Sequence, residues 1–287
     1  MYPELLKLGP LTVYSYGFML AVSFIVSSYI LTKEVERKGL DANIASQVTL
    51  LAIIFGIAGS KLFSLLENWN DFLADPFGQI FSAGGLTFYG GLILSIIAIA
   101  IYLRRQKIPF LYIADAASPS LALAYGIGRI GCHLAGDGDY GIPTSLPWGV
   151  NYENGIVKPS LMFQGSDIAK SFPNGIVPNN TPLHPTPIYE FIVGVIIFYI
   201  LWRLRKKEYP IGILFMIYLI FSGFARFFVE FIRLNPLILF GLSEAQLISI
   251  ALILLGIIGI FFINKFPERF KFEPAPIKQP SPKHKTK

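Results

Sequence analysis

Long apolar runs separated by short charged breaks dominate this chain. A helix needs about 20 mostly apolar residues to cross a hydrocarbon core roughly 30 Å thick. Seven stretches approach or exceed that length: 11–32, 43–66, 86–103, 116–134, 187–202, 211–229 and 244–263. The fifth is short, and small residues interrupt the fourth. The polar breaks are brief except at two places. Residues 67–85 mix Trp69, Phe72, Leu73, Phe77, Ile80 and Phe81 with acids, a pattern that predicts a helix lying in the membrane interface. Residues 135–186 are dense in Gly, Pro, Asn and Asp and offer few clear strands or helices, too irregular a piece to stand as an independent domain. No internal repeat is visible, which weakens a secondary-transporter reading.

Composition sharpens this picture. Of 287 residues, 53% are hydrophobic and only 15% charged, against roughly 25% charged in an ordinary soluble domain. So few charges cannot cover the surface of a water-soluble enzyme, and so apolar a chain is not disordered. The one cysteine, Cys132, excludes an internal disulfide and a multi-cysteine zinc site. Lysine and arginine placement sets the orientation. With the first residue outside, the inner segments are 33–41, 104–115, 203–210 and 264–287, and they hold most of the 24 basic residues. The positive-inside rule then puts the N-terminus in the periplasm and the C-terminus in the cytoplasm. The net charge of +6 is therefore a topology signal, and no nucleic acid partner is expected. The fold class that follows is an all-α polytopic membrane protein with seven transmembrane helices. A domain over 1–266 carries periplasmic segments 67–85 and 135–186, and 267–287, where prolines alternate with lysines, is a disordered basic cytoplasmic tail. The start, MYPELLKLGP, lacks a basic region ahead of a short apolar core, so no cleavable signal peptide is expected.

Charge inside apolar sequence carries the chemistry, because an ionisable group within a span is costly and usually faces a cavity or a partner. Five clusters gather at the outer ends of the spans. Tyr14-Ser15-Tyr16-Gly17 opens the first, where an aromatic-belt residue beside a packing glycine is the plain explanation. Gly84-Gly85-Leu86-Thr87-Phe88-Tyr89-Gly90-Gly91 opens the third; its glycines suit either amide donors for an anion or close helix packing. The fourth span ends in Gly128-Arg129-Ile130-Gly131-Cys132-His133, with Asp137 and Asp139 in the glycine-rich turn beyond. Arg129 and His133 are four apart, on one helical face. Arginine does not discharge in a membrane, so Arg129 needs a carboxylate, a phosphate or water; a structural Arg–Asp pair at the helix end is the simpler alternative. The sixth span ends in Arg226, Glu230 and Arg233, spaced as a salt-bridge ladder. That face has two arginines and one acid, which leaves a positive charge for a phosphate. His184-Pro185-Thr186-Pro187-Ile188-Tyr189-Glu190 opens the fifth span; Glu190 lies just inside the membrane and needs a cation, with Arg129, Arg226 and Arg233 as the candidates. Together these residues describe an outer cavity for an anionic headgroup, open sideways to lipid. No HExxH, P-loop, GxSxG elbow or nucleotide fingerprint is present, so neither a metal nor a cofactor is expected.

The clusters, taken in order, resemble the bacterial prolipoprotein diacylglyceryl transferase family over nearly the whole chain. The family signature begins Gly-Arg-x-Gly-Asn-Phe-x-Asn-Gly-Glu; Gly128-Arg129-Ile130-Gly131 matches it, and Gly136-Asp137 aligns with its Gly-Glu. Tyr16-Gly17, Gly90 to Ile93, the His184-Pro185…Tyr189-Glu190 block and Arg226…Glu230…Arg233 match as well. The chain departs from the family where Tyr89 replaces a usual His, Cys132-His133 replaces Asn-Phe, Ala135 replaces Asn, Pro187 replaces Gln, and Asp137-Gly138-Asp139 has one residue too many. The resemblance implies transfer of a diacylglyceryl group from phosphatidylglycerol to the lipobox cysteine thiol of a prolipoprotein signal peptide. A thioether forms and glycerol phosphate leaves, the first step of bacterial lipoprotein maturation, in the inner membrane and by a monomer. It assigns Arg129 and Arg226 to the developing phosphate charge, Glu230 and Glu190 to orienting them, and His133 or Tyr89 to the thiol proton. Tyr16, Gly90, Gly91, Gly131, Asp137, His184, Tyr189, Glu190 and Arg233 fall to substrate binding, and Cys132 is a bystander. Two other readings stand beside it: a non-catalytic lipid or signal-peptide binding homologue, and a small-solute transporter, which would carry polar residues across the whole membrane.

Overall fold

The computed structural model describes residues 1–9, 11–82, 85 and 87–274. Among the described residues, seven helices are long and apolar enough to cross a membrane: α1 (Ser15–Arg37), α2 (Ala42–Glu67), α3 (Phe88–Arg105), α4 (Phe110–Ala135), α5 (Thr186–Leu204), α6 (Ile213–Val229) and α7 (Glu244–Lys265). Large apolar side chains such as Ile57, Ile258 and Phe261 stand exposed along them, the reverse of a soluble helix, whose apolar stripe is buried. The chain is a multi-pass membrane protein. It divides into two compact units, Met1–Ile30 with Ala114–Lys271, and Leu31–Ile113 with the described residues 272–274.

Within the first unit, local chemistry explains where the helices start. Gly212, with φ at +99°, precedes α6. The otherwise orphaned amides of Gly212 and Phe215 donate to the buried carboxylate of Asp115 on α4, at 2.6 and 2.8 Å, satisfying donors that a helix leaves free at its first turn. A capping box opens α7: the Ser243 hydroxyl accepts from the Gln246 amide, and the Gln246 side chain accepts from the Ser243 amide. Pro187 sits in the first turn of α5, where its missing N–H costs nothing.

Two expectations are corrected here, and a third gains detail. The first span does not begin at residue 11. Leu11–Tyr14 is a strand paired with Glu4–Leu8, because Gly9, with φ at +59°, turns the chain and β-branched Thr12 and Val13 suit a strand. Short ladders also join Val150–Asn151 to Pro182–Leu183 and Leu237–Leu239 to Leu242–Ser243, so the fold is mostly helical with small two-stranded sheets. The fourth span is unbroken despite its small residues and Pro119; the Ser118 hydroxyl donates to the Ala114 carbonyl at 2.7 Å in that turn. Segment 135–186 has its own core of Tyr140, Tyr152, Phe163, Ala169, Val177 and Leu183, against which Met1 packs. Aromatic mass thus organises a stretch that its turn residues made look shapeless.

In the second unit α2 packs on α3 through glycine. A side chain at Gly90 would meet the Gly59 carbonyl and Phe63, and one at Gly91 would meet Ser60 and the Gly56 carbonyl. Both glycines therefore serve close helix packing. Tyr89 lies beside them on α3; of the preceding glycine-rich run, residues 84 and 86 lie outside the described residues. Segment 67–85 holds two short helices, Trp69–Ala74 and Pro76–Phe81, where one was expected. Asp75-Pro76 makes the break, with the Asp75 carboxylate accepting the Gly78 amide at 2.9 Å. At the chain's end, Pro267–Phe270 forms a 3-10 turn, and most of the expected tail lies outside the described residues.

Candidate active site

In the first unit, α4 and α6 end, and α5 and α7 begin, around one cluster of charge. The turn after α4 builds its rim. Gly136 and Gly138 take φ of +59° and +94°, conformations open to glycine at no steric cost. Gly141 then has no room for a side chain between the Ile232 carbonyl, Thr186 and His184. Backbone bonds stitch the turn down: the Gly141 amide donates to the His184 carbonyl at 2.8 Å, and the Ile142 amide to the Ile232 carbonyl at 2.9 Å. The Thr186 hydroxyl donates to the Asp139 carbonyl at 2.5 Å.

Glu190, its side chain only 4% exposed, is the hub. Arg129, Arg226 and Arg233 all reach its carboxylate, at 3.5, 3.3 and 3.4 Å, so each cation proposed for it from sequence is present. The Tyr125 hydroxyl donates to the same carboxylate, and the Arg129 guanidinium lies 4.8 Å from the Tyr125 ring centre, a cation–π arrangement. Arg129 sits six residues before the end of α4, roughly 9 Å along its axis. Arg226 also pairs with Glu230, one helical turn on, at 3.0 Å. Glu230 accepts further bonds from Asn235 at 2.5 Å and Ser243 at 2.8 Å. Beside it lies a cavity of about 230 Å³ lined by Glu230, Phe231, Arg233, Asn235, Leu237, Gly241, Ser243 and Gln246. That is below the roughly 300–1,000 Å³ of ordinary ligand pockets, a space for a polar fragment and not for two acyl chains.

Several expectations change in detail. The ladder from Glu230 to Arg233 does not form. The helix tightens to 3-10 geometry at Glu230–Ile232 and Arg233 is extended, which swings its guanidinium to Glu190 and Asp139. Asp139, and not the aligned Asp137, meets the arginines, with one oxygen on Arg129 and the other on Arg233. The extra residue in this turn carries Asp139 one step further round. Asp137 instead accepts the Asp139 amide at 3.3 Å. Burial and the neighbouring Asp139 push the Asp137 carboxyl up; burial acts the same way on Asp139, but Arg233 and Arg129 outweigh it and hold that carboxyl below its usual range. The expected surplus of positive charge is also absent: among the described residues three guanidiniums meet three carboxylates, Asp139, Glu190 and Glu230.

The remaining candidates separate. His133 shares the α4 face of Arg129 but its Nδ1 lies 2.9 Å from the Tyr152 hydroxyl, against the aromatic core of segment 135–186. Tyr16 opens α1, where Gly131 lets the α1 backbone approach: a side chain at Gly131 would stand 3.3 Å from the Tyr16 Cα. His184 Nδ1 lies 3.2 Å from the Tyr189 hydroxyl, which accepts the Trp148 indole N–H at 2.8 Å. Tyr89, Gly90 and Gly91 belong to the second unit. Cys132 is buried; its sulfur and the carboxylates of Asp137 and Asp139 offer ligand atoms within 4.8 Å of one another, although both Asp139 oxygens are already engaged by arginine. Tyr125, Asn235 and Ser243 were missed from sequence. Tyr125 stands one turn before Arg129 and was legible as an i, i+4 neighbour; Asn235 and Ser243 carry no local signal.

Comparison with known proteins identifies the family. Residues 3–262 match the model of a family described as prolipoprotein diacylglyceryl transferase. A phosphatidylglycerol–prolipoprotein diacylglyceryl transferase of Clostridium tetani is 34% identical over 93% of this chain and 99% of its own length. Proteins of the same name from Geobacter sulfurreducens and Leptospira interrogans are 31% and 28% identical, over 92% and 90% of this chain and 95% and 89% of their own lengths.

Proposed function

Because this chain belongs to the prolipoprotein diacylglyceryl transferase family, we propose that it moves the diacylglyceryl group of phosphatidylglycerol onto the cysteine thiol of a prolipoprotein. The observation that carries this reading is the convergence of Arg129, Arg226 and Arg233 on one site at the helix ends. The reaction forms a carbon–sulfur bond and breaks the carbon–oxygen bond to phosphate. Glycerol phosphate takes the bonding electrons, so negative charge grows on the leaving group. Fixed guanidiniums in a water-poor pocket stabilise that charge without reorganising, and Arg129 and Arg226 take this role. Glu190 and Glu230 hold them in place. The thiol has an ordinary pKa near 8.5, and its proton goes to His133 or Tyr89. Tyr16, Asp137, His184, Tyr189 and Arg233 contact lipid or signal peptide in this scheme, while Gly90, Gly91 and Gly131 serve helix packing.

The same proposal puts the site at the periplasmic face of the inner membrane. Arg104, Arg105, Arg203, Arg205, Lys206 and Lys207 then lie at the opposite, cytoplasmic ends of the spans, as the positive-inside rule requires. It keeps 1–266 as the membrane domain, 267–287 as a cytoplasmic tail, and a monomer as the working unit. The test is purified protein in detergent with phosphatidylglycerol and a lipobox peptide, followed by glycerol phosphate release. Arg129→Ala and Arg226→Ala should each lower the rate on the order of 10²–10³-fold, as loss of an oxyanion donor does elsewhere. Full activity in both removes the site assignment. In the same assay, whichever of His133→Ala and Tyr89→Phe is inactive marks the base, and activity in both excludes the pair.

A further inference from the structure

Charge balance in the arginine cluster leads one step further, and this step rests on phosphatidylglycerol being the lipid substrate. Three guanidiniums already face three carboxylates. A phosphodiester with one negative charge would leave the occupied site net negative, which a water-poor pocket strongly disfavours. One carboxylate has to give way, and the three are not equivalent.

Glu190 and Glu230 are held deep. Their side chains are 4% and 2% exposed, Glu190 among three arginines and Tyr125, Glu230 among Arg226, Asn235 and Ser243. Asp139 is 29% exposed and sits outside any helix, in a turn bounded by Gly138 and Gly141. Its backbone is pinned through Thr186, so rotation about Cα–Cβ alone moves the carboxylate. Its two oxygens rest on two different arginines, Arg129 and Arg233. The two non-bridging oxygens of a phosphodiester present the same fork to paired guanidiniums.

We propose that Asp139 is a displaceable counter-ion, holding the seat between Arg129 and Arg233 that the phosphodiester of the lipid takes when it binds. With Asp139 rotated away, Glu190 and Glu230 leave the cluster at net +1, the charge that a phosphodiester neutralises. The leaving glycerol phosphate is a monoester, and return of the Asp139 carboxylate to the arginines expels it. The residue is thus a specificity and release element that acts by competing for the arginines.

Asp139→Asn removes the competing charge and keeps the shape. Calorimetry with glycerol phosphate should show binding on the order of tenfold tighter than in the parent protein, a coupling of ordinary size. Steady-state kinetics should show a lower KM for phosphatidylglycerol together with a lower kcat, as product release slows, and Asp139→Glu should return both toward the parent values. Weaker or unchanged glycerol phosphate binding in Asp139→Asn overturns the inference and makes Asp139 a residue that merely positions the arginines. If Asp139→Asn does not fold, judged by its melting in detergent, Asp139→Ser is read by the same criteria. A nanodisc arm separates this outcome from failure of the parent reading: if the parent protein itself prefers phosphatidylglycerol no more than diacylglycerol, the substrate assignment falls, and the inference with it.

Discussion

Two groups of ion pairs among the described residues share their chemistry and little else. Lys33–Glu36, Lys170–Asp167 and Lys271–Glu268 are local, three residues apart and solvent-exposed. Each joins neighbours that the helix or turn has already brought together. The cluster around Glu190 draws instead on α4, the turn after it, α5, and the end of α6, and the Asp139–Arg233 pair closes a gap of 94 residues. Exposed pairs exchange one set of hydrogen bonds for another in water and contribute little. A buried network has already met the desolvation cost of every member, so removing one partner strands the rest. Stability and function therefore concentrate in the cluster, and the exposed pairs are free to vary.

The largest test of that contrast is Glu190→Gln. The substitution preserves shape and removes the charge that Arg129, Arg226 and Arg233 share. Breaking a buried pair typically costs about 3–5 kcal/mol, and here three cations lose one counter-ion together. The expected outcome is a large fall in melting temperature in detergent and a rate loss on the order of 10²-fold or more. A variant with parent-like melting and turnover would mean that the cluster is held by something other than its charges.

How much of this was legible in the sequence follows from the range of each interaction. Spans and helix ends depend on neighbours a few residues away, so apolar runs located all seven helices. The hub was legible too: a glutamate just inside a span has to find a cation, and only a few arginines lie at the right depth. Local rules failed where the backbone leaves regular geometry. Helical spacing paired Arg233 with Glu230, but a 3-10 turn redirected it. Motif alignment chose Asp137, but one added residue put Asp139 on the arginines. The expected spare positive charge came from counting one helix end, whereas Asp139 and Glu190 arrive from elsewhere in the chain. Ser243 and Asn235 reach Glu230 through a hairpin that follows α6, and no pattern within either segment encodes that meeting.

Ser243→Ala probes the border between the two regimes. The Ser243 hydroxyl accepts the Gln246 amide at the start of α7 and donates to Glu230 at 2.8 Å. Loss of an N-cap costs about 1 kcal/mol, and loss of a hydrogen bond to a charged group about 1.5–3 kcal/mol. A fall in melting temperature smaller than that of Glu190→Gln is expected, with turnover reduced only modestly because Asn235 still holds Glu230. Ser243→Thr, which keeps the hydroxyl, should restore both. If the alanine variant were as damaging as Glu190→Gln, the cap and not the cluster would be the main determinant of stability.

The smallest effect belongs to Lys170→Ala. Lys170 and Asp167 pair at 2.6 Å with both side chains largely in solvent, 75% and 94% exposed. The pair is well formed: its hydrogen bond lowers the Asp167 pKa and raises that of Lys170. Short distance alone would therefore rank it with the cluster. Water and salt screen it, however, and holding a lysine side chain still costs entropy that offsets the attraction. Melting temperature and turnover should match the parent protein at both low and high salt. A clear, salt-sensitive loss would show that segment 135–186 depends on surface charge, and not, as its buried Tyr140, Tyr152 and Phe163 indicate, on an aromatic core of its own.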